Sequence, residues 1–144
     1  MREFLEEVIR PYRTAPPSNV TIECDFDGDL AVMDVDRTMM SQAFVNLIEN
    51  ALQAMPDGGS LMLRAEAGFS DGGRTLRVSI SDTGVGMDRE ALTRAFEPYF
   101  STKGTGTGLG MAIARRAVEE HRGKIELTSA PMKGTTARVI LPLG

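Results

Sequence analysis

The sequence has very few of the residues that cross-link a small protein or bind a transition metal. Its 144 residues include one cysteine, one histidine and no tryptophan. One cysteine excludes an internal disulfide, and one Cys with one His cannot make a zinc site of the usual kind. There is also no apolar run of about 18 residues and no apolar centre typical of a signal peptide near the start. The sequence therefore predicts a cytoplasmic domain without membrane contact.

Positive charge is also limited, and it is scattered. The 16 Lys and Arg residues form no single run, and the formal net charge is -4. This disfavours broad electrostatic attraction to nucleic acid, so we expect no nucleic-acid partner. An anionic ligand would have to be held by local donors or by a metal. With 42% hydrophobic and 25% charged residues, the chain is typical of one globular domain, which we expect to be monomeric in isolation.

The periodicity of apolar residues predicts an α+β fold. Residues 4–11 are helical in character up to Pro11, and Asp36 is a plausible N-cap for the longest helix. The predicted strands are VTIECDF, LAVMDV, SLMLRAEAG, TLRVSISD, KIELTSA and TTARVILP, with FSDGGR as a hairpin loop between the third and fourth. The predicted helices after the first are DRTMMSQAFVNLIENALQAM, REALTRAF and LGMAIARRAVEEH. We expect a mixed sheet of five to six strands with three principal helices on one face.

A glycine-rich run, STKGTGTGLGMA, precedes the last predicted helix. The Walker loop needs its lysine after the glycines, but Lys103 stands before them. The G-x-G-x-x-G pattern fails because no glycine stands at the required third position. Two interpretations remain open from these residues alone: a mobile segment that presents N–H groups and a helix N-terminus to an anion, or a flexible surface loop.

The longest predicted helix carries amides along one face. Gln42, Asn46, Asn50 and Gln53 fall within roughly 80° of one another on a helical wheel, nearly opposite the apolar face. Asparagine is a poor helix former, so the stripe is mildly unexpected. Amide oxygens suit Mg²⁺, and amide N–H groups suit phosphate. The alternative is a polar face of chance composition.

Asp82 follows a predicted strand in the loop DTGVGM. At this place its carboxylate can accept from the exocyclic NH₂ of adenine, whereas guanine presents an oxygen there. Gly84 and Gly86 would allow the backbone to approach a flat ligand without a Cβ in the way. The alternative is a turn that uses Asp and Gly for conformational reasons.

Four segments in order resemble the N box, first glycine box, F box and second glycine box of sensor histidine kinase catalytic domains. They are NLIENALQAM, SDTGVGM, FEPYFSTK and GTGTGLGMAI. These domains belong to the wider GHKL ATPase group, with gyrase, the Hsp90 chaperones and MutL. The resemblance runs from about Val20 to Pro142. It implies the two-layer α/β sandwich called the Bergerat fold, with ATP and Mg²⁺ as cofactors.

The resemblance implies roles for the amide stripe. Asn50 corresponds to the principal Mg²⁺ ligand, and Asn46 corresponds to its partner toward metal and phosphates. Gln53 stands where many members have a basic residue, so its phosphate contact is the weakest of these assignments.

The resemblance also implies how the base would be recognised. Asp82 corresponds to the residue that reads adenine, and Gly84 and Gly86 correspond to the glycines that shape its pocket. Thr135 resembles the threonine that supports this aspartate through water.

A lid over the nucleotide is the third implication. Phe96 and Phe100 would anchor it, and Lys103 would meet the phosphates with Thr102 beside it. The lid's hinge and closing end would comprise Gly106, Thr107, Gly108, Leu109 and Gly110. Without nucleotide, we expect residues 98–107 to be mobile.

Phosphotransfer to histidine fits better than hydrolysis. ATP-hydrolysing members and serine kinases of the group have a Glu base where this chain has Asn46, and an amide cannot deprotonate water or a hydroxyl. Glu49 points about 100° away from Asn50, so we interpret it as structural or surface-facing. His121 corresponds to a structural histidine. The alternatives are a free-standing GHKL serine kinase or ATPase, or a regulatory nucleotide-sensing module.

The expected acceptor is then a histidine outside these residues. We interpret 1–16 as the linker from an upstream helical dimerisation domain and 17–144 as the catalytic domain. The partners implied are the histidine-bearing dimerisation domain of the same parent kinase and a response regulator. Whether that parent is anchored in a membrane stays open.

Overall fold

The structure is a computed structural model that describes residues 1–17, 19–27, 34–70, 73–98 and 109–143. Four helices and five strands lie along these residues. They are α1 (Arg2–Thr14), β1 (Val20–Phe26), α2 (Arg37–Gln53), β2 (Gly59–Ser70), β3 (Gly73–Asp82), α3 (Arg89–Arg94), α4 (Gly110–Glu120), β4 (Lys124–Ser129) and β5 (Thr135–Pro142). Among the helices described, none combines the length and the apolar character needed to cross a bilayer.

The strands form one mixed sheet in the order β1-β2-β3-β5-β4. β1 is parallel to β2, and the other three neighbouring pairs are antiparallel. A parallel pair needs a crossover connection, and α2 lies between β1 and β2 in the chain. The predicted α+β class with a mixed sheet is confirmed.

One face of the sheet carries the core. Leu76, Val78 and Ile80 of β3 are buried, while Arg77 and Ser79 between them are partly exposed, as the two-residue period of a strand requires. Three helices bury their apolar sides against this face. They contribute Phe4, Leu5, Val8 and Ile9 from α1, Met40, Phe44, Leu47 and Ile48 from α2, and Ala114, Ala117 and Val118 from α4. The predicted two-layer arrangement is confirmed.

The first helix is longer than predicted, because it continues past Pro11 to Thr14. Proline removes only the one N–H that would have bonded to residue 7, so the next turn survives if other contacts hold it. Two contacts do so. The backbone N–H of Ala15 donates to Pro11 O at 3.2 Å, and Tyr12 packs against the core.

The first helix also shares the core with the rest of the chain. The rings of Phe4 and Phe44 meet edge to face with centroids 6.2 Å apart. Arg37 places its guanidinium 5.3 Å from the centre of the Phe4 ring and pairs with Glu7 at 3.0 Å. These contacts fasten α1 to α2. The interpretation of residues 1–16 as the end of an upstream segment stays a prediction.

The predicted hairpin loop FSDGGR and the predicted strand LAVMDV differ in outcome. β2 and β3 pair from Leu61 with Asp82 to Ser70 with Gly73, so both strands extend into the predicted loop, whose residues 71–72 lie outside the described residues. Most of the predicted strand LAVMDV falls on residues 30–33, outside the described residues, and its last two residues, Asp34 and Val35, are not in a strand.

Candidate functional site

The amide stripe on α2 is only partly exposed. Asn46 and Asn50 are half-buried, whereas Gln42 and Gln53 are exposed at the surface. Of the four predicted amides, the two asparagines are therefore enclosed by neighbouring structure, and Gln53 stands at the end of the helix.

Asn46 carries a buried donor for which the described residues provide no acceptor. Its Nδ2 is buried and has no hydrogen-bond partner among those residues, and leaving such a group unpaired costs about 1–3 kcal/mol. The first turn of α4 lies against it: a Cβ built on Gly110 would stand 3.7 Å from the Cβ and Cγ of Asn46 and 3.8 Å from its Oδ1. An oxyanion is the kind of ligand that this donor and this helix terminus suit.

At the end of β3, Asp82 is only 8% exposed. Its Oδ1 accepts hydrogen bonds from the backbone N–H of Gly84 at 2.9 Å and of Thr135 at 3.3 Å. Two backbone donors therefore fix the orientation of this carboxylate. A buried, oriented carboxylate is a strong acceptor for a ligand amine.

The loop after Asp82 is held between two other segments. The backbone N–H of Val85 donates to Ala54 O, at the end of α2, at 2.9 Å. A Cβ on Gly84 would stand 2.2 Å from that same carbonyl oxygen. Gly86 has a φ of +69°, and its Cβ would stand 1.9 Å from Ala130 O. Both positions thus require glycine because protein backbone approaches them closely. The predicted reason was a different one, the approach of a flat ligand.

The sequence reasoning did not identify Ser129, the last residue of β4. Its Oγ accepts from the backbone N–H of Met87 at 2.8 Å and donates to Gly134 O at 2.9 Å. Its Oγ also lies 2.8 Å from Oγ1 of Thr135. Ser129 therefore links the Asp82 loop to the start of β5. This contact could not be predicted from the local sequence, because Met87 lies 42 residues before Ser129.

Most of the predicted lid lies outside the described residues. This holds for Phe100, Thr102, Lys103, Gly106, Thr107 and Gly108, and for nearly all of the segment 98–107 that we expect to be mobile. Phe96 is described, and the guanidinium of Arg115 lies 5.2 Å from the centre of its ring. Phe96 is thereby packed against α4.

Glu49 is used structurally, as predicted. Its Oε1 accepts from the hydroxyl of Tyr12 at 2.8 Å. This hydrogen bond joins α1 to α2. Glu49 directly precedes Asn50 in the sequence. Burial and the Glu49 carboxylate raise the pKa of Tyr12 above its ordinary value.

Tyr12→Phe is expected to lower the free energy of unfolding by about 1 kcal/mol and to leave nucleotide affinity unchanged. Because the raised pKa keeps the folded phenol protonated, the stabilisation is complete below about pH 10 and is lost as the pH rises further. Urea denaturation at neutral pH and above pH 10 measures this. Glu49→Gln is the companion variant, and a loss of nucleotide affinity in either variant would contradict a purely structural role.

Both ring nitrogens of His121 are engaged. Nε2 accepts from the backbone N–H of Asp36 at 2.9 Å. Nδ1 lies 2.7 Å from Ala117 O, and since a carbonyl only accepts, Nδ1 carries the proton. The ring therefore links the end of α4 to the start of α2, which supports the structural interpretation.

Comparison with known proteins agrees with this geometry. Residues 35–144 match the family described as "Histidine kinase-, DNA gyrase B-, and HSP90-like ATPase". Sporulation kinase C of Bacillus subtilis (strain 168) is 35% identical over 145 residues, which cover 99% of this chain and 33% of the relative. The chain thus spans about a third of that relative's length.

Solved structures of the histidine kinase ThkA and of ShkA have the same fold. The nucleotide-free catalytic domain of ThkA superposes with a TM-score of 0.84 at 28% identity, covering 99% of this chain and 91% of that one. ThkA in complex with the response regulator TrrA gives 0.80 at 25% identity, covering 99% and 40%. Full-length ShkA in complex with AMPPNP gives 0.83 at 27% identity, covering 97% and 29%. The chain belongs to the family of histidine kinase-, DNA gyrase B- and HSP90-like ATPases.

Proposed function

We propose that this chain is the nucleotide-binding half of a sensor histidine kinase. It binds ATP with Mg²⁺ and presents the γ-phosphoryl group to a histidine on a dimerisation domain of the same parent protein. The observation that carries the proposal is the buried Nδ2 of Asn46 beside the first turn of α4, a donor to which no acceptor is offered by the part of the chain that the structure describes. A phosphate oxygen at that place would satisfy the donor.

The residues present fit Mg²⁺ and ATP. The described part of the chain holds no cluster of three His, Cys, Asp or Glu residues for a metal, so amide oxygens of Asn50 and Asn46, together with phosphate oxygens, would hold it. Mg²⁺ supplies neutralisation of phosphate charge when bound. Asp82 would accept from the adenine amine. Lys103 and Thr102 remain the proposed phosphate contacts of the lid.

Phosphotransfer to a separate histidine is favoured over hydrolysis. Asn46 is an amide and cannot act as a base, and Glu49 is bound to Tyr12. His121 is engaged at both nitrogens. A neutral imidazole on the partner domain needs no base, because it already has a lone pair. ThkA has been solved with a response regulator, and we propose a response regulator as the downstream partner here. We place the domain in the cytoplasm.

Titration calorimetry and a turnover assay on the isolated chain test the proposal. We expect saturable ATP binding that depends on Mg²⁺, with turnover close to the uncatalysed background, because the acceptor is absent. Asn46→Ala is expected to weaken ATP binding by about tenfold, since it removes a charge-assisted hydrogen bond. Gln42→Ala, on the exposed part of the same stripe, is the control. Rapid hydrolysis that disappears in Asn46→Ala would instead assign a hydrolase.

A further inference from the structure

The hydrogen bonds of Ser129 determine which way its own hydroxyl proton and that of Thr135 point. A hydroxyl has one proton and two lone pairs. The proton goes to Gly134 O, because a carbonyl only accepts, and one lone pair accepts from Met87 N–H. The remaining contact, 2.8 Å from Oγ1 of Thr135, must therefore have Thr135 as its donor.

This assignment determines what Thr135 can offer a ligand. Its one hydroxyl proton is committed to Ser129, so its Oγ1 presents only acceptor lone pairs in other directions. The backbone N–H of the same residue donates to Asp82 Oδ1 at 3.3 Å. One residue thus orients the carboxylate with its backbone and carries an acceptor on its side chain.

The turn between β4 and β5 is pressed against the end of β3. A Cβ on Gly134, whose φ is +77°, would stand 2.0 Å from Asp82 O. Ser129 connects the loop to the turn, because its Oγ accepts from Met87 N–H in the loop and donates to Gly134 O in the turn. Movement of either segment would change the relation of the Thr135 hydroxyl to the Asp82 carboxylate.

We infer that Ser129 is a positioning residue for recognition of a purine that carries an amino group at its six-position. It keeps Thr135 as an acceptor and holds the loop of Asp82 in register with it, so the site offers acceptors to a base that donates. At its six-position, a six-oxo purine would instead face the Asp82 carboxylate with an acceptor of its own. The inference rests on the proposed ATP-binding function and adds a residue to it.

The chain provides a matched control for the loss of a hydroxyl pair. Ser81 and Thr136 are opposite each other on β3 and β5, with their hydroxyl oxygens 2.9 Å apart. Both are partly exposed. Ser81→Ala removes a hydroxyl bond between the same two strands that Asp82 and Thr135 connect. Within the described ranges, no side-chain hydrogen bond from Ser81 reaches the loop or the turn.

The test compares ATP with inosine triphosphate, which has a six-oxo base, by calorimetry in the presence of Mg²⁺. Ser129→Ala is expected to weaken ATP binding about fivefold to tenfold and inosine triphosphate binding less than twofold, so that the affinity ratio falls. Ser129→Thr keeps the hydroxyl and is expected to restore the ratio. Ser81→Ala is expected to leave the ratio at its wild-type value.

A second variant keeps the inference testable if Ser129→Ala does not fold. Thr135→Val preserves shape and is expected to lower the same ratio, and combining it with Ser129→Ala is expected to add little, because both act through one contact. Equal weakening of both nucleotides, or an unchanged ratio in these variants, would overturn the inference. Failure of the wild-type chain to bind ATP would instead overturn the proposed function.

Discussion

Asp82→Asn is expected to weaken ATP binding by about 100-fold while leaving the protein folded, since hydrogen bonds to charged groups contribute about 1.5–3 kcal/mol. The backbone N–H groups of Gly84 and Thr135 both point at Oδ1, so the amide oxygen of the new side chain keeps that place. The NH₂ of the new side chain then occupies the position of Oδ2. Two hydrogen-bond donors, this NH₂ and the adenine amine, would then face each other. The variant is also expected to prefer inosine triphosphate, whose six-oxo group accepts from that NH₂.

The matched control is Asp88→Asn. Asp88 is exposed and caps α3 by accepting from Ala91 N–H at 2.8 Å, and asparagine caps a helix as well as aspartate does. Calorimetry on both variants, with circular dichroism to verify folding, completes the comparison. ATP affinity within about threefold of wild type in Asp82→Asn, where less than 1 kcal/mol is lost, would show that this carboxylate does not read the base.

Gly86→Ala is expected to lower the free energy of unfolding by about 3 kcal/mol, because it combines two costs. A left-handed φ of +69° costs a residue with a Cβ roughly 1–2 kcal/mol. The new Cβ would also stand 1.9 Å from Ala130 O, and forcing such an overlap costs typically 1–3 kcal/mol more. Nucleotide affinity is expected to fall as well, because the loop that carries Asp82 must move.

Gly110→Ala is the control for losing a glycine near the site. Its Cβ would meet Asn46 at an ordinary contact distance of 3.7 Å, and alanine is a better helix former than glycine. We expect the melting temperature to rise slightly or stay unchanged, against a fall of roughly 6–12 °C for Gly86→Ala. Equal melting temperatures for the two variants, measured by calorimetry, would contradict the packing described for the loop.

The helical core could be predicted from sequence because its signals are local. The apolar period places Phe44 and Leu47 inward, and Asp36 caps α2 as predicted, with its Oδ1 accepting from Met39 N–H at 3.0 Å. The end of α1 could not be predicted in this way. Pro11 is a local signal that ends a helix. The helix α1 nevertheless continues past it, because Tyr12 donates a hydrogen bond to Glu49 of α2, which is distant in sequence.

A motif in the sequence can indicate a single residue of the candidate site. Contacts between segments that are distant in the sequence could not be predicted. Asp82 was predicted at the end of a strand and lies there with an oriented carboxylate, while its role as the reader of adenine stays a prediction. The requirement for Gly84 comes from Ala54 O, on another element, so nothing in the loop's own sequence shows it. Ser129 was missed for the same reason, since it bonds Met87, which lies 42 residues earlier. The lid assignments at Lys103 and Gly106 stay predictions.

The measurement that most directly tests the central claim is phosphotransfer. The chain is mixed with the separately purified, histidine-bearing dimerisation domain of its parent and with ATP labelled at the γ-phosphorus. We predict acid-labile label on the partner domain, present in His121→Ala and absent in Asp82→Asn, with no label on this chain. Acid-stable label on this chain itself, or transfer that persists unchanged in Asp82→Asn, would contradict the assignment as a histidine kinase's nucleotide-binding half.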